Sequence, residues 1–426
     1  MTQDTKAQKR VLTNVTLIDG LGNAPIANAT IAVYGSRIVY VGTDIDIADG
    51  AEVIDLKGMV VMPGLIDAHV HLGGCTHIED FRKTILGGGT EPLFGGSDFT
   101  DNFRDARESS IRYGVTTIRS CGDYMHDMLK LRQDTADGIV TGPRIVACGP
   151  SFQEAGGHPN ATVWGNDPVT LREAARLPKS PEEAREMVRE LAGHGVDFIK
   201  VIINDSSISN RQVKFPRMPW EIISAIVEEA HAQNLIVAAH TENRHDTLRA
   251  VQIGIDDMEH LNLHSAHEEV DLESHDDLFR LLVEKETYVT PTMVVTAMHG
   301  KHASDVDIGS LRYGNLLFKR AYEAGVKLAV GTDAGAPEVV YGWAVHAELA
   351  MMVNEQGIPP IDAISAATKT NSELLGLSQV IGTIEVGKQA DLLVVSGNPV
   401  EDITHTKNVV LVMQGGKILV DHRKAH

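Results

Sequence analysis

The stretch Val60–Gly74, VVMPGLIDAHVHLGG, decides how the rest of the chain is read. Its first half is a short apolar run, broken by Pro63 and Gly64 and resumed at Leu65 and Ile66, the pattern of a strand buried on both faces. The run ends in Asp67-Ala68-His69-Val70-His71. Residues two apart on a strand point to the same side, so His69 and His71 present two imidazoles together where the strand finishes. Paired neutral imidazoles suit a zinc-like ion. With 19 His in 426 residues, chance alone supplies roughly one His-x-His pair, so spacing by itself decides little. Placement decides more: this is the only such pair in the chain, and it closes an apolar strand after a Pro-Gly turn.

Before this stretch, residues 10 to 60 read as short strands at Val11–Asp19, Thr30–Tyr34, Arg37–Gly42, Glu52–Asp55 and Met59–Val61, separated by turn signals such as Gly35-Ser36 and Asp49-Gly50. The C-terminus has the same texture at Gly382–Ile384, Ala390–Ser396, Asn408–Gln414 and Lys417–Val420. Neither end buries a good core alone, so the two are expected to pair into one small β-sandwich.

Between them, strand candidates alternate with helical stretches, the pattern of a parallel α/β barrel. After the strand ending at His71 come Val115–Ser120, Arg144–Gly149, Val196–Ile203, Leu235–His240, Ile255–His260, Thr287–Pro291 and Val326–Asp333. Helices are expected at Asp101–Tyr113, Pro181–His194, Pro219–Gln233, His245–Ile253, Asp276–Glu286, Gly309–Ala324, Ala344–Gln356 and Ile361–Leu375. Eight strands close a barrel. The expected fold class is α/β, a TIM-type (β/α)8 barrel over 63–377 beside a β-sandwich built from 1–62 and 378–426.

Barrel enzymes place their chemistry at the C-terminal ends of strands, so the polar residues at those ends matter most. Strand four, VDFIKVII, carries Lys200 inside an apolar run, and a buried ammonium needs a partner or a chemical reason. A buried carboxylate could pair with it. Alternatively the neutral amine could react with carbon dioxide to give an anionic carbamate whose two oxygens bridge two divalent ions. Strand five delivers His240, strand six His260 and strand eight Asp333. Each alone also fits an ordinary structural role, Asp333 as a helix cap or Asx turn.

PGLIDAHVHL, the Gly-Thr-Asp at Asp333 and the stretch GTIEVGKQADLLVV resemble the amidohydrolase superfamily across nearly the whole chain. HAELAMMVNEQGIPPIDAISAATKTNSELLGL is similar to the branch holding prolidase-like dipeptidases, imidazolonepropionase-like proteins and ochratoxin-type amide hydrolases. The resemblance implies that His69, His71 and Asp333 hold one metal ion, that His240 and His260 hold a second, and that carboxylated Lys200 bridges them. It implies two divalent ions, zinc first, with manganese, cobalt or iron as alternatives. Two ions make hydroxide available near neutral pH from a shared water, and Asp333 can accept its proton and deliver one to the leaving nitrogen. His158, after strand three, stands where related enzymes place a substrate-polarising His. The expected reaction is hydrolysis of an amide-type C–N bond in an N-acyl amino acid, dipeptide, carbamate or arylurea.

Two departures bear on the branch. Thr241 stands where some dipeptidases have Tyr after the strand-five His, and Leu261 replaces the Gly of the family's Glu-His-Gly. The alternative reading is a mononuclear deaminase or cyclic-amide hydrolase of the same fold, for which Glu242 is the suggestive residue. Pocket residues are expected from the loops 73–100, 150–180 and 204–218; Arg211, Lys214 and Arg217 read first as a solvated basic loop, with carboxylate binding as the alternative, and Tyr124 and His126 are weaker pocket candidates. His77, His194, His231 and His346 read as ordinary surface or helix residues, whereas His245, His264 and His267 lie near strand ends.

A net charge of −20 argues against nucleic acid and anionic membrane as partners, leaving a small-molecule substrate and a homo-oligomer as the expected associations. Cys75, Cys121 and Cys148 are odd in number and lack C-x-x-C spacing, which fits a reducing compartment. The N-terminal MTQDTKAQKR is polar with no apolar run after it, and nothing reaches about 18 consecutive apolar residues. The expected location is cytoplasmic.

Overall fold

A computed structural model describes residues 9–43, 50–73, 103–164, 168–205, 214–261, 275–300, 305–336 and 338–423. Five strands precede the His-x-His strand: β1 (Lys9–Leu17), β2 (Ile26–Tyr34), β3 (Arg37–Gly42), β4 (Glu52–Asp55) and β5 (Val60–Pro63). Then come β6 (Leu65–Val70), β7 (Val115–Ser120), β8 (Arg144–Ala147), β9 (Ser151–Phe152), β10 (Ala175–Arg176), β11 (Ile199–Ile203), β12 (Val237–Thr241), β13 (Asp257–Glu259), β14 (Tyr288–Thr290) and β15 (Lys327–Leu328). The last three are β16 (Leu392–Val395), β17 (Val409–Gln414) and β18 (Lys417–Asp421).

Strands from both chain ends join in one eight-stranded sheet, ordered β18-β17-β16-β5-β1-β2-β3, with β4 also on β1. The joint is β16 lying antiparallel on β5. Instead of two stacked sheets, the long β1 branches one: β4 pairs with its first half and β5 with its second, on the side opposite β2. The sheet has its own apolar cluster, including Leu12, Leu17, Ile31, Val61, Leu392 and Leu411. Gly382–Ile384 is not a strand. Gly382 sits at φ 90, outside the extended region, and a single bond, from Ile384 N–H to Asp19 O at 2.9 Å, ties this segment to the N-terminal half.

The chain leaves this sheet at Pro63-Gly64, where a side chain on Gly64 would drive into Thr116. From there the strands are parallel. They form a sheet β6-β7-β8 and a sheet β10-β9-β11-β12-β13-β14-β15. Individual bonds join the two. Asp197 N–H reaches Ala147 O at 2.9 Å on one seam. On the other, Ala68 N–H reaches Val330 O at 2.9 Å and His71 N–H reaches Ala334 O at 2.8 Å. Asn371 closes that second seam from below, donating to Ile66 O and Val330 O and accepting from Val330 N–H.

The expected helices are present, and their limits follow local chemistry. Pro181–His194 begins at Ser180, whose side chain accepts from Glu183 N–H, has Pro in its first turn, and ends at Gly195 with φ 76. Met125–Ala136, Pro168–Ala174 within the expected 150–180 loop, and Met293–Gly300 are additional. Expected strand eight, Val326–Asp333, is regular only at Lys327–Leu328. Beyond it the chain is held by the seam bonds and by side chains. Among the described residues no helix is long and apolar enough to cross a membrane.

Candidate metal centre

The C-terminal ends of β6, β12 and β13, Lys200 near the start of β11, and the segment after β15 converge on one place. Four imidazoles pack in a chain there: His71 to His69 at 5.2 Å between ring centroids, His69 to His260 at 4.8 Å, and His260 to His240 at 4.7 Å. Asp333 enters from across the seam beside β6, its Oδ1 lying 3.5 Å from His69 Nε2 and 3.3 Å from His71 Nε2. Those two nitrogens are themselves 3.3 Å apart.

Glycines allow this approach. A Cβ on Gly331 would meet the His69 Cβ at 2.7 Å, and one on Gly335 would lie 2.0 Å from the His71 carbonyl oxygen. Asp333 itself adopts φ 57, as do His260 at 67 and Leu261 at 44. Left-handed backbone at three non-glycine residues is uncommon and costs energy. Leu261 thus holds at φ 44 a conformation that a glycine takes without strain.

The donor set fits a divalent ion. His71 Nδ1 lies 3.1 Å from Gly122 O; a carbonyl only accepts, so this nitrogen carries the proton and Nε2 keeps its lone pair. That lone pair faces the carboxyl oxygen of Asp333, an arrangement that a metal cation or a proton between them makes favourable. Ligands about 2.05 Å from a tetrahedral ion lie about 3.3 Å from one another, close to the three edges of the His69, His71 and Asp333 triangle. The other rings are likewise held on one nitrogen: His240 Nε2 donates to Glu242 Oε1 at 2.6 Å, and His260 Nδ1 meets Thr292 Oγ1 at 2.7 Å. His69 Nδ1 faces Glu259 Oε1 at 3.2 Å. His71, His240 and His260 are each held on one nitrogen from behind, as metal-binding imidazoles are, whereas His69 Nδ1 lies close to Glu259 without hydrogen-bond geometry.

Electrostatics favour neutral ligands. Burial, aided by nearby cationic groups, lowers the His71 pKa to about 4 and those of His240 and His158 to about 3, and takes His69 and His260 well below the ordinary value. Burial lowers the Lys200 amine to about 8 and raises the Asp333 carboxyl to about 7.

Lys200, on β11, contacts Glu259, the buried carboxylate preceding His260. Glu259 also faces Arg119, 3.4 Å away, and Arg119 pairs with Asp257. Sequence reasoning missed Glu259, Arg119 and Asp257. The signal was available in part: Arg119 falls in the β-branched run VTTIRS, and Asp257 and Glu259 are two apart on a short strand. The argument that singled out Lys200 applies equally to each.

The His158 ring lies 5.7 Å from that of His240, so this loop residue reaches the centre. Other candidates are engaged elsewhere. Arg217 pairs with Asp246 and lies over Trp220, Lys214 reaches Asp205 at 3.9 Å, Tyr124 donates to Thr170, and His126 pairs with Glu173. Thr241 is buried and bonded to Thr247. His245 is next to Asp246 and His231 pairs with Asp256. His346 is buried, between Tyr113 and Thr406. Arg211, His77, His264 and His267, with most of the 73–100 loop, lie outside the described residues.

Residues 60–419 match the Amidohydrolase family. The chain belongs to that family. Ochratoxinase from Aspergillus niger is 28% identical over an alignment covering 94% of this chain and 85% of that protein. A solved Xaa-Pro dipeptidase with methionine bound in the active site superposes with a TM-score of 0.79 at 27% identity, covering 96% of this chain and 99% of the other. A prolidase complexed with N-methylphosphonate-L-proline gives 0.80 at 25% identity, covering 97% and 100%. The amidohydrolase family carries the reaction class, hydrolysis of carbon–nitrogen bonds, and metal binding in general.

Proposed function

We propose that this amidohydrolase hydrolyses an amide-type C–N bond of a small molecule, an N-acyl amino acid, dipeptide, carbamate or arylurea, at a centre of two divalent ions. The observation that carries the reading is the triangle of His69 Nε2, His71 Nε2 and Asp333 Oδ1, three electron-rich atoms turned toward one point. These three would hold one ion, His240 and His260 the second, and Lys200 as its carbamate would bridge both; zinc is the first choice. When bound, such ions supply Lewis acidity toward a carbonyl and lower the pKa of water. Asp333, on the rim, takes up the proton of the attacking water and returns one to the leaving nitrogen. His158, neutral through burial, donates a hydrogen bond to the substrate carbonyl oxygen as negative charge develops there.

The same reading takes the two parallel sheets as one TIM-type (β/α)8 barrel over 63–377, flanked by the single branched β-sheet unit from 1–62 and 378–426, in a cytoplasmic homo-oligomer. The seam bonds and the similarity to the solved prolidase support the barrel. The mononuclear deaminase reading is weakened because Glu242, the acid it would need, is tied to His240. A strict Xaa-Pro dipeptidase is disfavoured by buried Thr241 in place of Tyr.

Metal analysis of purified protein with a substrate-library screen tests the proposal. Close to two ions per chain and release of an amine from an amide, carbamate or urea bear it out. One ion with ammonia release from a heterocycle would move the assignment to a deaminase.

A further inference from the structure

Behind the four rings lies a buried charged chain that the proposed reaction does not use. Thr290 Oγ1 donates to Asp257 at 2.9 Å, and Asp257 pairs with Arg119. Arg119 also donates from Nε to Ala68 O and lies over Phe198 at 5.0 Å, so its guanidinium is fixed on three sides. It faces Glu259 Oε1 at 3.4 Å. The two oxygens of Glu259 then divide: Oε1 faces His69 Nδ1 at 3.2 Å, and Oε2 contacts Lys200 Nζ. Arg119, Asp257, Glu259, His69 and Lys200 are all 1% exposed or less. Cys121 lies in the same group as His69 and Glu259, but burial pushes its thiol up to about 12 and its sulfur sits 3.7 Å from Ala68 O, so it stays S–H.

We propose that Glu259 is a positioning residue for the metal centre: one carboxylate oxygen orients the His69 ring so that Nε2 faces His71 and Asp333, and the other sets the direction of the Lys200 side chain. Asp257 and Arg119 fix the carboxylate from behind. An imidazole can rotate or change tautomer, and a lysine has four torsions; a single rigid acceptor removes those freedoms from both. Glu259 does not touch the substrate in this scheme. It acts through His69 and Lys200, and the inference rests on those two being ligands.

Zinc affinity, read by competition with a chelator, tests this together with the ring tautomer of His69 in metal-free, 15N-histidine-labelled full-length protein. Glu259→Gln should weaken zinc binding roughly 10- to 100-fold, and Glu259→Asp, which keeps the charge on a shorter stem, should recover part of the loss. Wild-type His69 should carry its proton on Nδ1, and Glu259→Gln should populate the other tautomer. Unchanged zinc affinity in Glu259→Gln, or a wild-type His69 protonated on Nε2, overturns the proposal. Should the glutamine variant not fold, the wild-type tautomer decides alone. A wild-type protein that takes up no zinc would instead overturn the two-ion function, and the tautomer would still judge Glu259.

Discussion

Asp67 accepts the Thr332 hydroxyl on Oδ2 at 2.6 Å and the Thr332 N–H on Oδ1 at 3.1 Å. These bonds tie the His-x-His strand to the segment carrying Asp333, whose own N–H donates to His69 O at 2.9 Å. The carboxyl also lies 3.3 Å from the His69 N–H, and burial raises its pKa to about 7. One buried side chain therefore sets the spacing of two candidate ligands that face each other across one seam of the parallel sheets.

Asp67→Ala would strand those donors in a buried site, at about 1–3 kcal/mol of stability, and loosen the triangle. The expected result is a lower denaturation midpoint and weaker metal binding together. Thr332→Val removes only the hydroxyl and should cost about 1 kcal/mol. Urea unfolding and a zinc titration of both variants check this; wild-type zinc affinity in Asp67→Ala would remove Asp67 from the assembly of the site.

His158 should separate chemistry from metal binding. If it donates to the substrate oxygen, His158→Asn lowers kcat/KM by roughly 100-fold or more while metal content is unchanged, the scale of losing one oxyanion donor. A drop of less than a few-fold returns it to a packing role against His240.

Much of this architecture was legible because local signals agreed. Ser180, Pro181 and Gly195 mark both ends of one helix, and its limits match the expected ones. The strand ends bearing His69 and His240 follow from apolar runs that a polar residue closes, and Lys200 stands out as a charge inside such a run. Met125–Ala136 escaped because Tyr124 makes no side-chain cap bond and its buried positions, Met125, Met128, Leu131 and Asp134, mix polar with apolar. Strand eight looked longer than it is because periodicity cannot show that Ala329–Asp333 is fastened by Asp67 and Asn371 in place of a ladder. Glu259 was hidden beside His260, where a motif drew attention to its neighbour. Partnerships between strands distant in sequence, such as Arg119 with Asp257, exist only once the topology is formed.

His346 supplies a pH dependence away from the metal centre. Its Nε2–H donates to Tyr113 O at 2.9 Å, its Nδ1 lies 3.0 Å from Thr406 Oγ1, and burial keeps the folded ring neutral. Burial lowers its pKa from 6.5 to about 4. Between those values the unfolded chain binds the extra proton, so stability is fully present above the unfolded pKa and lost as pH falls toward 4. The whole window is worth about 3 kcal/mol. The rings of the metal centre carry the same sign, so the comparison must be with His346→Gln: the wild type's stability advantage over that variant should shrink as pH falls through the window. A constant difference in urea unfolding across it would falsify the assignment.

Lys200 joins the geometry to the proposed chemistry. Burial lowers its amine to about 8, which leaves a larger neutral fraction near neutral pH than an exposed lysine has. Only a neutral amine adds to carbon dioxide, forming the N–C bond and releasing a proton, and only a nearby cation makes the resulting buried anion favourable. Carboxylation should therefore rise with metal loading, as deprotonation of other ligands does. Lys200→Ala should lose turnover and at least one ion per chain while the fold persists, since β11 remains paired with β12 through its backbone. Acetate or propionate should restore part of both, because two carboxylate oxygens can take the bridging place. A metal-loaded crystal structure settles the matter: Lys200 as a carbamate between two ions supports the proposal, and an unmodified Lys200 still paired with Glu259 in the active, metal-loaded enzyme removes the bridge and favours a mononuclear centre.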